Sequence, residues 1–281
     1  MIVIGRARLR SFAVNFVALA AVFTLFLIAA VPASAGLRIS EASRTEQVDQ
    51  PFDGVTATCP RGQAPLSGGY QIPNPLLEDN YYLPMGTFPT ENDGWQASAK
   101  LAAGDIGENL LTSVAYCSAL GKDVTTRSDS ADLSGSTFTD LTAVCKRSEV
   151  AISGGWALST SNGYGLLLKS LRAGKRSWTI NGGMQVGSGT LLVFANCLPE
   201  KEAPKIVTRK HTAEVVAGEA LDASASCKKG EEAISAGYSS KDAIVPYELR
   251  RDGKRRWTNI GAPFSESGKE KTLIYCVKSH R

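Results

Sequence analysis

Beyond residue 35 the apolar positions come in short runs of four to eight residues, bounded by Gly, Pro, Asn, Asp or Ser. That length and punctuation predict strands rather than helices. In the last third of the chain the runs are Ala223 to Cys227, Ala233 to Tyr238, Val245 to Arg250, Trp257 to Ile260 and Thr272 to Cys276, with a leading strand near Ile206 to Thr208. The dipeptides Ala173-Gly174 and Asp252-Gly253 fall between matched segments and read as hairpin turns. No helical period follows the N-terminal stretch, so an all-β fold is expected, with about five or six strands in each unit.

The units repeat. Aligned on cysteines, the chain reads Cys59-Pro-Arg-Gly-Gln-Ala-Pro-Leu-Ser-Gly-Gly-Tyr70, then Cys145-Lys-Arg-Ser-Glu-Val-Ala-Ile-Ser-Gly-Gly-Trp156, then Cys227-Lys-Lys-Gly-Glu-Glu-Ala-Ile-Ser-Ala-Gly-Tyr238. Each copy continues to one tryptophan (Trp95, Trp178, Trp257) and closes on an aliphatic run into a second cysteine (Cys117, Cys197, Cys276). Three pseudo-repeats of about 82 residues are therefore expected, as modules 36–120, 121–200 and 201–281. Gly69, Gly155 and Gly237 stand where the chain must bulge or admit another backbone. The three tryptophans read as core, with an exposed ligand platform as the alternative.

All six cysteines lie past residue 35, which suits disulfides in an oxidising compartment. Pairing Cys59 with Cys117, Cys145 with Cys197 and Cys227 with Cys276 closes each module on itself. That within-module set is expected; a shifted set, Cys117 with Cys145, Cys197 with Cys227 and Cys59 with Cys276, is also periodic and is the alternative.

This pattern of Cys-Pro-x-Gly, Gly-Gly-aromatic, Trp and closing Cys resembles modules of secreted actinobacterial proteins of unknown function. More remotely, three cysteine-bounded β repeats are similar in plan to the vitelline membrane outer layer proteins. That resemblance implies a β-prism; the other expectation is three small packed β modules.

The N-terminus changes the compartment and the charge. Arg6, Arg8 and Arg10 precede an apolar stretch from Phe12 to Val31 and a small-residue Ala33-Ser34-Ala35. A signal peptide over 1–35 is expected, with an uncleaved anchor as the alternative and the only membrane contact. The precursor's net charge is +4, but without those arginines it falls to about +1, so no nucleic-acid partner is implied. Charge is instead laid out as a ladder, net −6 over 36–120, +2 over 121–200 and +5 over 201–281. The chain is expected to be secreted or held in the cell envelope.

Catalytic chemistry is scarce. Only His211 and His280 offer an imidazole, no Gly-x-Ser-x-Gly elbow or phosphate loop occurs, and His/Cys spacing fits no metal site, so no cofactor is expected. Two loci differ among the copies. Tyr70, Glu78, Asp79, Asn80, Tyr81, Tyr82, Glu91 and Asp93 suit a hydroxyl-rich ligand or, as a third reading, an acid pair that hydrolyses carbohydrate. Arg172, Lys175, Arg176, Arg250, Arg251, Lys254, Arg255 and Arg256 surround two hairpins and suit an anion. A non-enzymatic binding or structural protein for a surface glycan or anionic envelope polymer is the leading expectation. Self-association through the charge ladder, as an adhesive envelope component, competes with it.

Overall fold

The computed structural model describes residues 37–47, 52–73, 76–77, 80–103, 110–135, 137–216, 220–240, 244–263 and 267–279. Among them the regular structure is all β, apart from one 3-10 turn at Ala119–Asp123. The segment 36–120 forms β1 (Ser40–Gln47), β2 (Phe52–Thr58), β3 (Ala64–Gln71), β4 (Leu76–Leu77), β5 (Asn80–Pro89), β6 (Gly94–Ala103) and β7 (Leu110–Ser118). The segment 121–200 forms β8 (Thr125–Ser134), β9 (Phe138–Val144), β10 (Glu149–Arg172) and β11 (Ser177–Pro199). The segment 201–281 forms β12 (Val207–Val216), β13 (Leu221–Asp222), β14 (Ala225–Ser226), β15 (Glu231–Ser240), β16 (Ile244–Asp252), β17 (Arg256–Pro263) and β18 (Ser267–Lys278). The N-terminal stretch on which the signal and anchor expectations rest lies outside the described residues. Among those described, no helix is long and apolar enough to cross a membrane.

Hydrogen bonding does not stop at the segment borders. One seven-stranded sheet runs β1-β7-β3-β16-β17-β13, with β14 also on β17, and joins the first segment to the third where Leu249 pairs with Tyr70. The other, eleven-stranded, runs β12-β18-β15-β10-β5-β6-β2, with β11 on β10, β8 and β9 on β11, and β4 on β5. There the second segment meets the first at Trp156 and Thr87, and the third at Ser170 and Tyr238. Each segment thus lends the first strand of its hairpin to the Ser-Gly strand of another.

A bulge explains how the segments lock. The register slips between Pro65 and Ser67, between Ala151 and Ser153, and between Ala233 and Ser235, so Leu66, Ile152 and Ile234 drop out of their ladders. A carbonyl freed by a bulge needs another donor. Ser153 Oγ donates to Leu66 O at 2.5 Å, Ser235 Oγ to Ile152 O at 2.6 Å, and Ser67 Oγ to Ile234 O. These three bonds form a closed ring through all three segments. The glycine two residues on is required by the same approach: a Cβ on Gly69 would lie 2.0 Å from Leu249 O, and one on Gly155 2.2 Å from Thr87 O.

The three repeat tryptophans, Trp95, Trp178 and Trp257, lie inside, each 1% exposed. Trp95 Nε1 donates to Thr87 Oγ1 at 2.7 Å and Trp178 Nε1 to Ser170 Oγ at 3.0 Å. In the third segment Leu249 occupies the matching position, and the Trp257 indole N–H is left without a partner. The disulfides are Cys59–Cys117, Cys145–Cys197 and Cys227–Cys276, closing loops of 58, 52 and 49 residues. No thiol is free, and three disulfides fit an oxidising compartment.

Candidate functional site

Of the acidic, tyrosine-bearing locus of the first segment, the two tyrosines whose side chains are described lie in the core. Tyr70 is 1% exposed, and its hydroxyl donates to Pro246 O at 2.6 Å, closing a contact between segments. Burial pushes its phenol well above the usual range, with the Glu270 carboxylate adding to the effect. Tyr82 is equally buried. Neither ring can face a ligand, because an aromatic residue with an apolar body supplies more core area than almost any other and the sheet interior takes it. Glu78 and Asp79 lie outside the described residues, as do the side chains of Asn80 and Tyr81 at the start of β5. Glu91 and Asp93 sit past the other end of that strand, and its ten residues span about 30 Å. Asp93, at φ 54° in the turn, pairs with Lys122.

The basic locus divides into structural and unpaired cations. Arg251 is buried, with Nη2 2.6 Å from Glu232 Oε1 and Nε donating to Gly253 O at 2.7 Å. Its backbone N–H donates to the Tyr116 hydroxyl. Arg172 donates to Ala151 O at 2.7 Å and to Lys175 O at 2.9 Å, and burial lowers its pKa. Arg250 pairs with Glu248 at 2.9 Å, Arg256 with Asp222 at 2.8 Å and Lys175 with Glu200. Those five residues are held by neighbours and are not free for an anion, which corrects their grouping as one site. Arg176, Lys254 and Arg255 remain exposed and pair with no described carboxylate.

What positions Lys254 and Arg255 is the tip of the β16–β17 hairpin. The N–H of Cys227 donates to Arg255 O at 2.7 Å and that of Ala233 to Lys254 O at 2.9 Å, stitching the tip to the turn after the cysteine. The result is a shallow concavity of about 330 Å³, lined by Lys229, Lys254, Arg255, Glu231 and Glu232 among others. Both acids are already neutralised. Arg209 grips Glu231 through both guanidinium arms, Nε lying 2.7 Å from Oε2, and this holds the carboxyl down at about 2. Glu232 is taken by Arg251. Lys229, Lys254 and Arg255, with Lys228 beside them, therefore leave the concavity net positive.

Sequence reasoning missed Lys228 and Lys229, although the run Cys227-Lys-Lys-Gly carried the signal. The matching surface of the second segment, about 590 Å³, is lined by Ser148, Glu149, Pro199, Glu200 and Lys201. Its lining charges are paired, Arg127 with Glu149 at 2.8 Å, Lys175 with Glu200, and Lys201 with Glu202 at 3.4 Å, while Arg176, at the position of Arg255, stays exposed. Cys145, Glu149 and Cys197, like Cys227, Glu231 and Cys276, lie close enough to hold an ion. The sulfurs are in disulfides, so they are not thiolate ligands. No family model and no curated protein matches the chain.

Proposed function

We propose that the chain is an exported, non-enzymatic protein that binds an anionic polymer of the cell envelope through the concavity of its third segment. The reading rests on one observation: both carboxylates lining the concavity are consumed by Arg209 and Arg251, Glu231 also accepting from the Lys228 backbone N–H, while Lys229, Lys254 and Arg255 have no acidic partner among the described residues. Flexible, hydrated lysines around a shallow surface suit a repeating anion that slides among contacts, not a small ligand buried in a pocket. Burial of Tyr70 and Tyr82 weighs against a neutral glycan, which needs exposed rings.

Titration with linear polyphosphate and with neutral dextran tests this, at about 50 and about 200 mM salt. Polyphosphate should bind, weaken at the higher salt, and be lost in a K229Q/K254Q/R255Q variant. Equal binding by that variant overturns the assignment, and binding of dextran in preference to polyphosphate returns the site to a neutral glycan.

A further inference from the structure

The third segment differs from the other two inside its core. Six residues before their closing cysteines, the first two segments bury Leu111 and Leu191, and the third buries Glu270, all 0% exposed. Two residues after their tryptophans they bury Ala97 and Ile180, where the third has Asn259, again 0% exposed. A hydrophobic pair has been replaced by an acid and an amide.

Asn259 Nδ2 donates to Glu270 Oε1 at 2.7 Å and to Thr272 Oγ1 at 2.8 Å. Glu270 Oε2 and Asn259 Oδ1 are then two buried oxygens with no partner, and the Tyr238 hydroxyl nearby has none either. The pair is short of donors. A single proton corrects this, because it converts Glu270 Oε2 from an acceptor into a donor.

No cation among the described residues reaches the carboxyl. Glu270 stands opposite Ala213 on β12 and Ser240 on β15, and it meets Asn259 on β17. The residues of β14, Ala225 and Ser226, carry no charge. Arg209 is committed to Glu231, Arg251 to Glu232, Arg256 to Asp222 and Lys269 to Glu214. Lys210, His211 and Lys271 are exposed. The titratable groups that feel the carboxylate are the Tyr70 and Tyr238 phenols, both held above their usual range chiefly by burial. Burial pushes Glu270 itself from 4.5 up to about 7, opposed only by the Asn259 hydrogen bond.

We propose that Glu270 is a proton-operated latch: protonated, it holds β12, β15, β17 and β18 together around the Asn259 amide, and ionised, it lets water in between them. Opening hydrates the carboxyl and returns it to ordinary acidity, so the opening equilibrium rises with pH between the two values and levels off above the higher one.

Hydrogen exchange from pH 5 to 8, corrected for intrinsic rates, reads the latch at residues 267–273. Opening should increase about sixfold per pH unit between pH 5 and 7 and level off above pH 7. E270Q, a neutral isostere, and E270L, which restores the residue of the other segments, should both abolish the pH dependence. An equal slope in E270Q, or no slope in the wild type, overturns the latch. Should E270Q fail to fold, the 13Cδ resonance of Glu270 in the wild-type chain decides. A midpoint near 7 supports the latch, and one near 4.5 refutes it.

Discussion

Ser235 Oγ donates to the carbonyl of Ile152, 83 residues earlier in the chain, across 2.6 Å of buried core. With its two counterparts this bond closes a ring that no segment can make alone. Ser153 carries the most, since its Oγ also accepts from Asn196 Nδ2 at 3.0 Å. Ser153→Ala should leave two buried groups unpaired and cost about 2–4 kcal/mol. The denaturation midpoint should fall with an unchanged slope; an unaltered midpoint contradicts this role for the ring.

The glycines of the Ser-Gly-Gly strands should differ in tolerance. A Cβ on Gly69 meets backbone, Leu249 O at 2.0 Å, whereas one on Gly68 meets the Trp95 ring at 2.2 Å. A ring can tilt, as the third segment indicates by placing Ala236 at the corresponding position, but a paired strand cannot retreat without breaking its ladder. Gly69→Ala should lower the melting temperature by more than Gly68→Ala, and the reverse order would place the constraint at the ring.

Thr87→Val keeps shape but removes the acceptor of the Trp95 indole. A buried N–H without a partner costs about 1–3 kcal/mol. Chemical denaturation followed by tryptophan fluorescence should show that loss. A neutral result would mean that Trp95, like Trp257, tolerates its orphaned donor.

Removing the second disulfide as C145A/C197A frees a loop of 52 residues, and the chain-entropy model puts the loss at about 4 kcal/mol. Equilibrium unfolding of the double variant, compared with the wild type without reductant, measures it.

Two glutamates set opposite pH limbs. Glu270, raised from 4.5 to about 7, gives stability that is complete below pH 4.5 and is lost as the pH rises to about 7. The full swing for a group this buried is on the order of 3 kcal/mol. Glu231, lowered from 4.5 to about 2 by Arg209, gives stability present above pH 4.5 and lost as the pH falls to about 2. Stability should therefore peak near pH 4.5 with respect to these two groups. Glu270→Leu should flatten the upper limb alone, and a melting curve series at fixed salt shows whether it does.

Local chemistry made parts of this fold legible. Gly174 and Gly253 adopt φ 81° and 61° in the hairpin turns that their dipeptides predict, because a turn needs only its own residues. Other elements were hidden by their surroundings. β12 extends over ten residues, Val207–Val216, rather than three, and its polar sequence gave no alternation. It pairs on one side only, with β18, and lies largely exposed, so no apolar face is required of it.

The candidate sites divide in the same way. Lys254 and Arg255 were readable as cations on a hairpin, but their pairing state was not, since Arg250, Arg251 and Arg256 look alike in sequence and are each consumed by a carboxylate. Tyr70 and Tyr82 looked like ligand platforms until strands from other segments closed over them. Nothing in the local sequence around Glu270 marked it as buried.

By itself the sequence determined the strand-forming pattern, the recurring cysteines, tryptophans and Ser-Gly or Ser-Ala steps, and the drift of charge along the chain, all of them properties of neighbouring residues. Only the tertiary structure decided which hairpin lies against which Ser-Gly strand and which charges are cancelled. It also decided that one glutamate is sealed in a core. Those outcomes depend on contacts between residues some 80 to 180 positions apart, which become neighbours only when the sheets cross from one segment to the next.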